Sequence, residues 1–296
     1  MKGFAVGFLN FLLALSIAAL GLAFMINATI LNPKFVVSEL DKLNATSLIN
    51  EQLTRLIPQQ EAGFMKEAID ATFTDLEPWL KEQLKTSIYA AEDYITGKSK
   101  SLSLTISTEP LRESLKENLW EAIQKSPPPE LAGLPPAQAE QLFNQLYEQQ
   151  IANNIPPKFE VTERTLPPQI MGILTQVKQY VSYVQIAFKG LIALSIVLVL
   201  GIVLIRRQVR ASTRALGVTF TVYGAIWYGG IFAAKQFLSP QIAQMGFNLP
   251  AGLQPMIPKL LDDLVSPLQM FTLGFLVAGV VLLIVSHVYK PRQAAE

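Results

Sequence analysis

The stretch LVSPLQMFTLGFLVAGVVLLIVSHVY, residues 264–289, contains no Asp, Glu, Lys or Arg. Three further apolar stretches lie at 4–31, 186–205 and 215–234, with Lys189 as the only charged residue among them. A helix needs about 20 apolar residues to cross the roughly 30 Å hydrocarbon core of a bilayer. The four stretches therefore predict four transmembrane helices in a mainly α-helical, multi-pass membrane protein.

Basic residues in the short connections predict which ends of these helices are cytoplasmic. The segment 206–214 has no acidic residue and carries Arg206, Arg207, Arg210 and Arg214. Short loops rich in Lys and Arg stay in the cytoplasm, which places this loop, the N-terminus and the tail 290–296 inside. The segments 32–185 and 235–263 are then expected outside, the second as an unusually apolar loop.

The expected outer segment differs in charge from the rest of the chain. Residues 32–185 hold 14 basic and 20 acidic residues, a net charge of −6, whereas the whole chain has a net charge of +1. The segment is long enough to bury its own core without disulfides. The chain has no cysteine, which excludes disulfides and thiolate chemistry and favours a prokaryotic plasma membrane.

The first apolar stretch has an alternative interpretation as a cleaved signal peptide. A signal peptide has an apolar region of about 7–15 residues followed by a small-x-small cleavage site. The run at 4–31 is about twice that length, and Asn27-Ala28-Thr29 matches such a site poorly. We therefore expect 1–31 to be retained as transmembrane helix 1. Outside it, Asn44 begins an N-glycosylation sequon, a three-residue match that is common by chance.

Apolar residues spaced three to four apart predict that 32–185 forms a helical domain. The predicted helices cover about 40–57, 64–73, 76–95, 111–123 and 142–151. Thr74 and Glu77 have the spacing of a capping box, in which each side chain accepts a backbone N–H bond at a helix start. Gly97 suits a left-handed helix end.

Two short segments of this domain alternate polar and apolar residues, which is typical of half-buried strands. They are residues 102–106 and 158–162. A lone strand would leave its backbone groups unpaired, so we predict that the two pair as a small β-ribbon. No proline follows Pro168 until well beyond the arginine loop, which predicts one helix from about 168 to 210.

The search for an active site in the sequence finds none. The only histidine, His287, lies at the expected cytoplasmic end of the fourth stretch, so the outer segment cannot build Ser–His or His–zinc chemistry. The adjacent acids Glu92-Asp93 and Asp262-Asp263 would point about 100° apart on a helix, which favours solvated surfaces. We therefore predict a non-enzymatic protein with no catalytic residue, cofactor or metal.

Two groups of residues are candidates for binding. The first could contact anionic lipid headgroups, although setting the topology explains it sufficiently, and it comprises Arg206, Arg207, Arg210 and Arg214. The second could line an aromatic pocket in the outer domain, although aromatic residues at helical spacing usually form the core, and it comprises Trp79, Trp120 and Phe159.

These features favour a binding function. We predict an integral protein of the lipid bilayer whose outer helical domain binds an envelope protein, a lipid or a cell-wall component. The cytoplasmic segments are too short for a kinase, cyclase or DNA-binding module, so no nucleic-acid partner is expected. Close helix contact in a homo-oligomer is allowed by the small-xxx-small pairs Gly3-xxx-Gly7 and Gly274-xxx-Ala278. An envelope hydrolase using two carboxylates has no supporting spacing.

The order of the spans resembles that of FtsX- and MacB-type permease subunits. A large outer domain lies between the first two spans, and the basic loop 206–214 lies between the second and third. The resemblance implies a membrane subunit of a transport or envelope-assembly complex, with an ATPase partner inside and a periplasmic partner outside. It rests on the arrangement of elements, and the nine-residue loop leaves little room for an ATPase-coupling helix.

Overall fold

The computed structural model describes residues 2–42, 62–128, 131, 133–244 and 256–289. The sequon at Asn44, most of the predicted helix 40–57 and the middle of the segment 235–263 lie outside the described residues. Within the described part the chain is mainly helical with one two-stranded sheet, as predicted. The helices and strands are α1 (Lys2–Ala28), α2 (Pro33–Asp41), α3 (Ala62–Asp75), α4 (Glu77–Ile95), β1 (Ser103–Ser107), α5 (Glu109–Lys125), α6 (Pro136–Gln150), a 3-10 turn (Ala152–Asn154), β2 (Lys158–Thr162), α7 (Pro168–Arg206), α8 (Val209–Gln244) and α9 (Ile257–Val288).

The chain divides into two compact units. We call residues 37–176 the helical domain, and residues 1–36 together with 177–296 the four-helix unit. Helix α7 is continuous over 39 residues and belongs to the four-helix unit from Val177 onward. The long helix expected after Pro168 is therefore present, and it ends at Arg206.

The helical domain has its core where α3, α5 and α6 bury small and aromatic residues against each other. The buried members are Ala68, Leu119, Ala122, Phe143, Tyr147 and Ala152. Polar side chains bridge the same helices: Asn118 Nδ2 donates to Asp75 Oδ2 at 2.9 Å, and Lys125 Nζ lies 2.9 Å from Glu67 Oε1. The Asn118 side chain is buried and its bond to Asp75 is partly buried, so this bond fixes α5 against α3 more firmly than the exposed Lys125 pair does.

The predicted ribbon forms in the helical domain as an antiparallel pair. Ser103 pairs with Thr162 and Ser107 with Lys158, so the two strands face each other over their full length. The residue after β1, Thr108, is held to the chain before β2: its N–H donates to Pro157 O at 3.0 Å and its hydroxyl donates to Pro156 O. These bonds connect the start of α5 to the ribbon.

The predicted capping box at Thr74 and Glu77 is wrong. Thr74 lies inside α3, where its hydroxyl donates to Asp70 O at 2.8 Å, and Leu76 is the N-cap residue of α4 without a side-chain cap. The two helices follow each other so closely that Leu80 N still donates to Leu76 O. The other end of α4 is as predicted, with Gly97 in the left-handed region at φ +79°.

In the four-helix unit, α1 contacts α7, α8 and α9 along an apolar core. Leu13, Ile17 and Ile202 are almost fully buried there. Ser16 and Ser195 share a hydrogen bond between α1 and α7, with 2.9 Å between the two Oγ atoms. This pair therefore joins α1 to α7 through two uncharged polar side chains.

Helices α8 and α9 make the closest backbone approach described in the unit. A Cβ atom placed on Gly224 would lie 2.6 Å from Leu276 N, and one placed on Gly279 would lie 2.5 Å from Thr221 Oγ1. Only glycine allows this separation, because real Cβ atoms essentially never come that close. At one end of the pair Lys235 Nζ lies 3.5 Å from Asp262 Oδ1.

The glycines of the predicted small-xxx-small pairs do not lie at this close contact between α8 and α9. A Cβ atom added at Gly3, Gly7 or Gly274 would meet nothing within 4 Å. The close intramolecular contact instead uses Gly224 and Gly279. The homo-oligomer expected from the first set of glycines stays a prediction, because no partner copy is present.

Candidate functional site

The four predicted arginines lie at or near the two-residue connection between α7 and α8. Arg207 adopts φ +53°, the left-handed region that a non-glycine residue enters at some cost, and it ends α7 by donating its N–H to Val203 O at 2.9 Å. Helix α8 then begins at Val209, and Ser212 N donates to Gln208 O at 3.0 Å. The turn places Arg206 and Arg210 beside one cavity.

This cavity has a volume of about 610 Å³ and is bounded by α1 and the start of α8. Its lining residues are Asn10, Arg206, Gln208, Arg210, Ala211, Arg214, Ala215, Val218 and Thr219. Arg207 lines an adjoining cavity of about 370 Å³, which reaches Gly3 and Val6 and shares Arg206, Gln208 and Ala211 with the first. Three of the four arginines therefore share one concave surface, and the fourth points to another.

A second cavity of about 390 Å³ continues from the first between the same two helices. The two cavities share Asn10, Val218 and Thr219, so together they form one groove, which we call the α1–α8 groove. The second half is almost entirely apolar and is lined by Phe11, Ala14, Leu15, Ala18, Val222, Tyr223, Ile226 and Trp227.

The polarity of the α1–α8 groove changes along its length. No described acidic side chain forms an ion pair with the arginines at one end. Where the two halves meet, Asn10 Oδ1 is buried without a hydrogen-bond partner among the described residues. The neighbouring Thr219 hydroxyl donates to Ala215 O at 3.1 Å, so it is already engaged.

The helical domain carries a separate groove between α5 and α6, which we call the α5–α6 groove. It has a volume of about 350 Å³ and is lined by Glu113, Lys116, Glu117, Trp120, Glu140, Phe143 and Asn144. Trp120 and Phe143 form its aromatic floor, with ring centroids 5.1 Å apart. Glu113, Glu117 and Trp120 occur at helical spacing on α5, which is why they face the same groove.

The charge of the α5–α6 groove is negative. No described basic side chain forms an ion pair with Glu113, Glu117 or Glu140. The one cation of the groove, Lys116, lies over the ring of Tyr147 with its Nζ 5.8 Å from the centroid. The three carboxylates and one ammonium group suit a ligand that carries positive charge and can stack on an aromatic surface.

Tyr147 supports this groove from below. It is buried and donates its hydroxyl to Arg112 O at 2.5 Å, connecting α6 to α5. Burial raises the pKa of Tyr147 because the phenolate would lose its hydration there, an effect that Arg112 partly offsets. The site therefore rests on a neutral tyrosine.

The predicted aromatic pocket is not assembled as a unit. Trp120 lines the α5–α6 groove, whereas Trp79 is half-buried on α4 and Phe159 is 54% exposed on β2. No ring contact among the described residues joins either of them to Trp120. The carboxylates of this groove were not predicted from the sequence. The spacing of Glu113, Glu117 and Trp120 nevertheless indicates that they share one face of a helix.

The described residues contain no group of three or more His, Cys, Asp or Glu side chains that could hold a metal ion. His287, the sole histidine, is exposed near the end of α9. The absence of catalytic, cofactor and metal residues stays a prediction.

These elements define a class of protein. Among the described residues, four helices are long and apolar enough to cross a membrane, and they are Gly3–Ala28, Pro168–Arg206, Val209–Phe237 and Ile257–Val288. They are compatible with a multi-pass membrane protein. No protein-family model, curated protein or solved structure matches the chain.

Proposed function

We propose that this protein is a non-enzymatic, multi-pass plasma-membrane protein that presents its helical domain outside the membrane to bind a basic segment of an envelope protein. The observation that carries the proposal is the α5–α6 groove, in which unpaired carboxylates surround the floor formed by Trp120 and Phe143. A lysine or arginine would gain charge-assisted hydrogen bonds from the carboxylates and a cation–π contact with Trp120.

The proposed outside location follows from charge. The arginine-rich connection between α7 and α8 favours the cytoplasm. The helical domain precedes α7 in the chain, so a single crossing of the membrane by α7 puts this domain on the opposite side. The chain has no cysteine, so single-cysteine variants can test this directly. With a membrane-impermeant maleimide, Ser101→Cys should be labelled in intact cells, whereas Gln208→Cys should need permeabilised membranes. The reverse pattern would overturn the orientation.

The binding partner can be captured from the groove itself. Asn144→Cys, derivatised with a photoreactive maleimide in native membranes, places the probe on the α5–α6 groove. Gln149→Cys places the same probe on an exposed position of α6 that does not line the groove. We expect an envelope protein to be cross-linked from position 144 and not from position 149, with mass spectrometry locating the adduct in a basic segment.

The groove residues then test specificity. Glu117→Gln removes a carboxylate and Trp120→Ala removes the aromatic floor, so each should reduce the cross-linking yield. Added salt should also reduce it, because exposed charges are screened. Equal yields from positions 144 and 149, or yields unaffected by Glu117→Gln, would contradict the proposal. Capture of a wall polymer or lipid instead would assign the groove to that alternative partner.

The permease-like alternative predicts a different result. A transport or envelope-assembly subunit should co-purify in mild detergent with a stoichiometric ATPase. Only Arg207 and Gln208 join α7 to α8, which leaves no separate coupling helix for such a partner to hold. No observation of the described residues favours this second function over binding.

A further inference from the structure

The α1–α8 groove has the shape and polarity of a single phospholipid. Three arginines line one end, Asn10 lies at the junction, and the remainder is apolar as far as Trp227. Along α8 the lining extends from Arg210 to Trp227, which is about 26 Å at about 1.5 Å per residue. One leaflet with its headgroups is about 20–22 Å thick, half of a bilayer of about 40–45 Å.

We propose that the α1–α8 groove is a specific binding site for one anionic phospholipid. The lipid phosphate would lie among Arg206, Arg210 and Arg214, and one acyl chain would follow the apolar half toward Trp227. The proposal does not depend on what the helical domain binds.

Charge argues for an anionic headgroup. The three arginines converge on one cavity of about 610 Å³ and have no described carboxylate to neutralise them. Arginine offers two parallel N–H donors to a phosphate, so adjacent arginines bind a phosphodiester more firmly than a scattered set of charges would. A zwitterionic headgroup would bring its ammonium group to the same surface and lose part of this attraction.

Burial argues for a built site and against loose contact with bulk lipid. Asn10 Oδ1 is enclosed and has no hydrogen-bond partner among the described residues, and an amide oxygen in that condition costs free energy until a donor reaches it. The junction is where the glycerol backbone of a lipid would lie when its phosphate is among the arginines. There Asn10 Nδ2 can donate to an ester carbonyl of the lipid, and Asn10 Oδ1 can accept from a hydroxyl of a phosphatidylglycerol headgroup or from a water bound with it.

The test uses the full-length protein, purified in mild detergent and stripped of endogenous lipid. Phosphatidylglycerol and phosphatidylcholine with identical acyl chains are titrated separately, and bound lipid is counted by native mass spectrometry. We expect one tightly retained phosphatidylglycerol per chain and weaker, graded binding of phosphatidylcholine. Excess glycerol phosphate, the headgroup without chains, should not displace the retained lipid, because it cannot fill the apolar half.

Two arginine variants distinguish the site from general attraction. Arg210→Gln should weaken phosphatidylglycerol retention by roughly tenfold or more, the factor expected when a charge-assisted hydrogen bond to the phosphate is lost. Arg207→Gln removes the same charge from the same connection, but Arg207 does not line the cavity proposed to hold the phosphate. It should therefore weaken retention much less than Arg210→Gln does. Equal effects of the two substitutions, or equal retention of the two lipids, would overturn the proposal.

A second pair of variants tests whether an acyl chain occupies the apolar half of the groove. Ala14→Phe would fill the cavity, whereas Ala19→Phe adds the same side chain at an exposed position of α1 that does not line it. Phosphatidylglycerol with a brominated chain should quench Trp227, and Ala14→Phe should abolish the quenching while Ala19→Phe should not. Quenching that survives Ala14→Phe would place the acyl chain elsewhere and refute the site.

Discussion

Replacing Gly224 by alanine should separate α8 from α9. A methyl group at this position would lie 2.6 Å from Leu276 N and 2.7 Å from Leu276 Cα, whereas ordinary van der Waals contact begins at 3.4 Å. Both opposing atoms belong to the backbone, so no side-chain rotation can relieve the contact. The helices must therefore open locally by about 0.8 Å, the difference between 3.4 Å and 2.6 Å.

The cost of this opening can be worked out from the packing around it. Overfilling a well-packed interface costs about 1–3 kcal/mol, because a gap approaching 1 Å forfeits a quarter to a half of each neighbouring dispersion contact. The rings of Phe220 and Phe275, 5.0 Å apart across the same interface, would lose such contact. Alanine returns up to about 1 kcal/mol through its higher helix propensity. We expect a net loss of about 1–2 kcal/mol.

The assay is thermal unfolding of the purified full-length protein in mild detergent, followed by far-UV circular dichroism, which reports the helix content. Gly224→Ala should lower Tm by a few degrees. Gly229→Ala is the matched control, on the same helix but with nothing within 4 Å of its added methyl group, and should leave Tm unchanged or slightly higher. Equal Tm values for the two variants would refute the packing argument.

Three further predictions concern named hydrogen bonds. Ser16→Ala and Ser195→Ala, combined in a double-mutant cycle, should show a coupling of about 0.6 kcal/mol in unfolding, the average for hydrogen bonds between membrane helices. Asn118→Ala should destabilise the helical domain by about 0.5–1.5 kcal/mol in urea unfolding, because the part-buried hydrogen bond to Asp75 at 2.9 Å is lost while the exposed Asp75 can be hydrated. Tyr147→Phe should reduce the loss of stability above pH 10.0, measured by unfolding at several alkaline pH values.

The sign of the Tyr147 effect follows from linkage. Burial raises the pKa of Tyr147 above its ordinary value of 10.0, so the folded state holds the proton more tightly than the unfolded state does. The resulting stability is complete below pH 10.0 and is lost as the pH rises through the folded value. Phenylalanine has no proton to lose, so an unchanged alkaline slope in Tyr147→Phe would contradict this account.

The other two predictions have their own refuting outcomes. Strictly additive losses in the cycle of Ser16→Ala and Ser195→Ala would mean that their hydrogen bond contributes nothing to α1–α7 association. For Asn118→Ala, the matched control is Asn144→Ala, a half-buried amide of the α5–α6 groove with no described hydrogen bond. If Asn144→Ala lowers stability as much as Asn118→Ala does, the bond to Asp75 is not the cause.

Much of the fold could be read from the sequence because it depends on local periodicity. The apolar stretches give the four candidate spans, and the alternation around Leu104 and Val161 gives strands that pair in the structure. Gly97 marks a helix end because a left-handed residue is needed there. The prediction of a capping box was wrong because α3 continues through Thr74, whose hydroxyl donates to Asp70 O in the same helix. Thr74 is therefore not available as an N-cap residue.

The grooves could not be read from the sequence because each requires knowing which helices are neighbours. Asn10 and Trp227 are more than two hundred residues apart and meet only when α1 packs against α8. Likewise, Glu140 joins Glu117 only through the pairing of α6 with α5. Periodicity predicts which face of a helix is apolar. It does not predict which other helix packs against that face, and a site between two helices depends on that pairing.

The two-residue connection between α7 and α8 has a consequence for how the protein enters the membrane. Only Arg207 and Gln208 separate the two helices. The second span therefore cannot insert fully into the bilayer while the third span remains in water. Of the four candidate spans, α8 is the least apolar and α7 the most apolar. We expect the two helices to leave the insertion machinery together as a hairpin, so that α7 carries a partner too polar to insert efficiently alone.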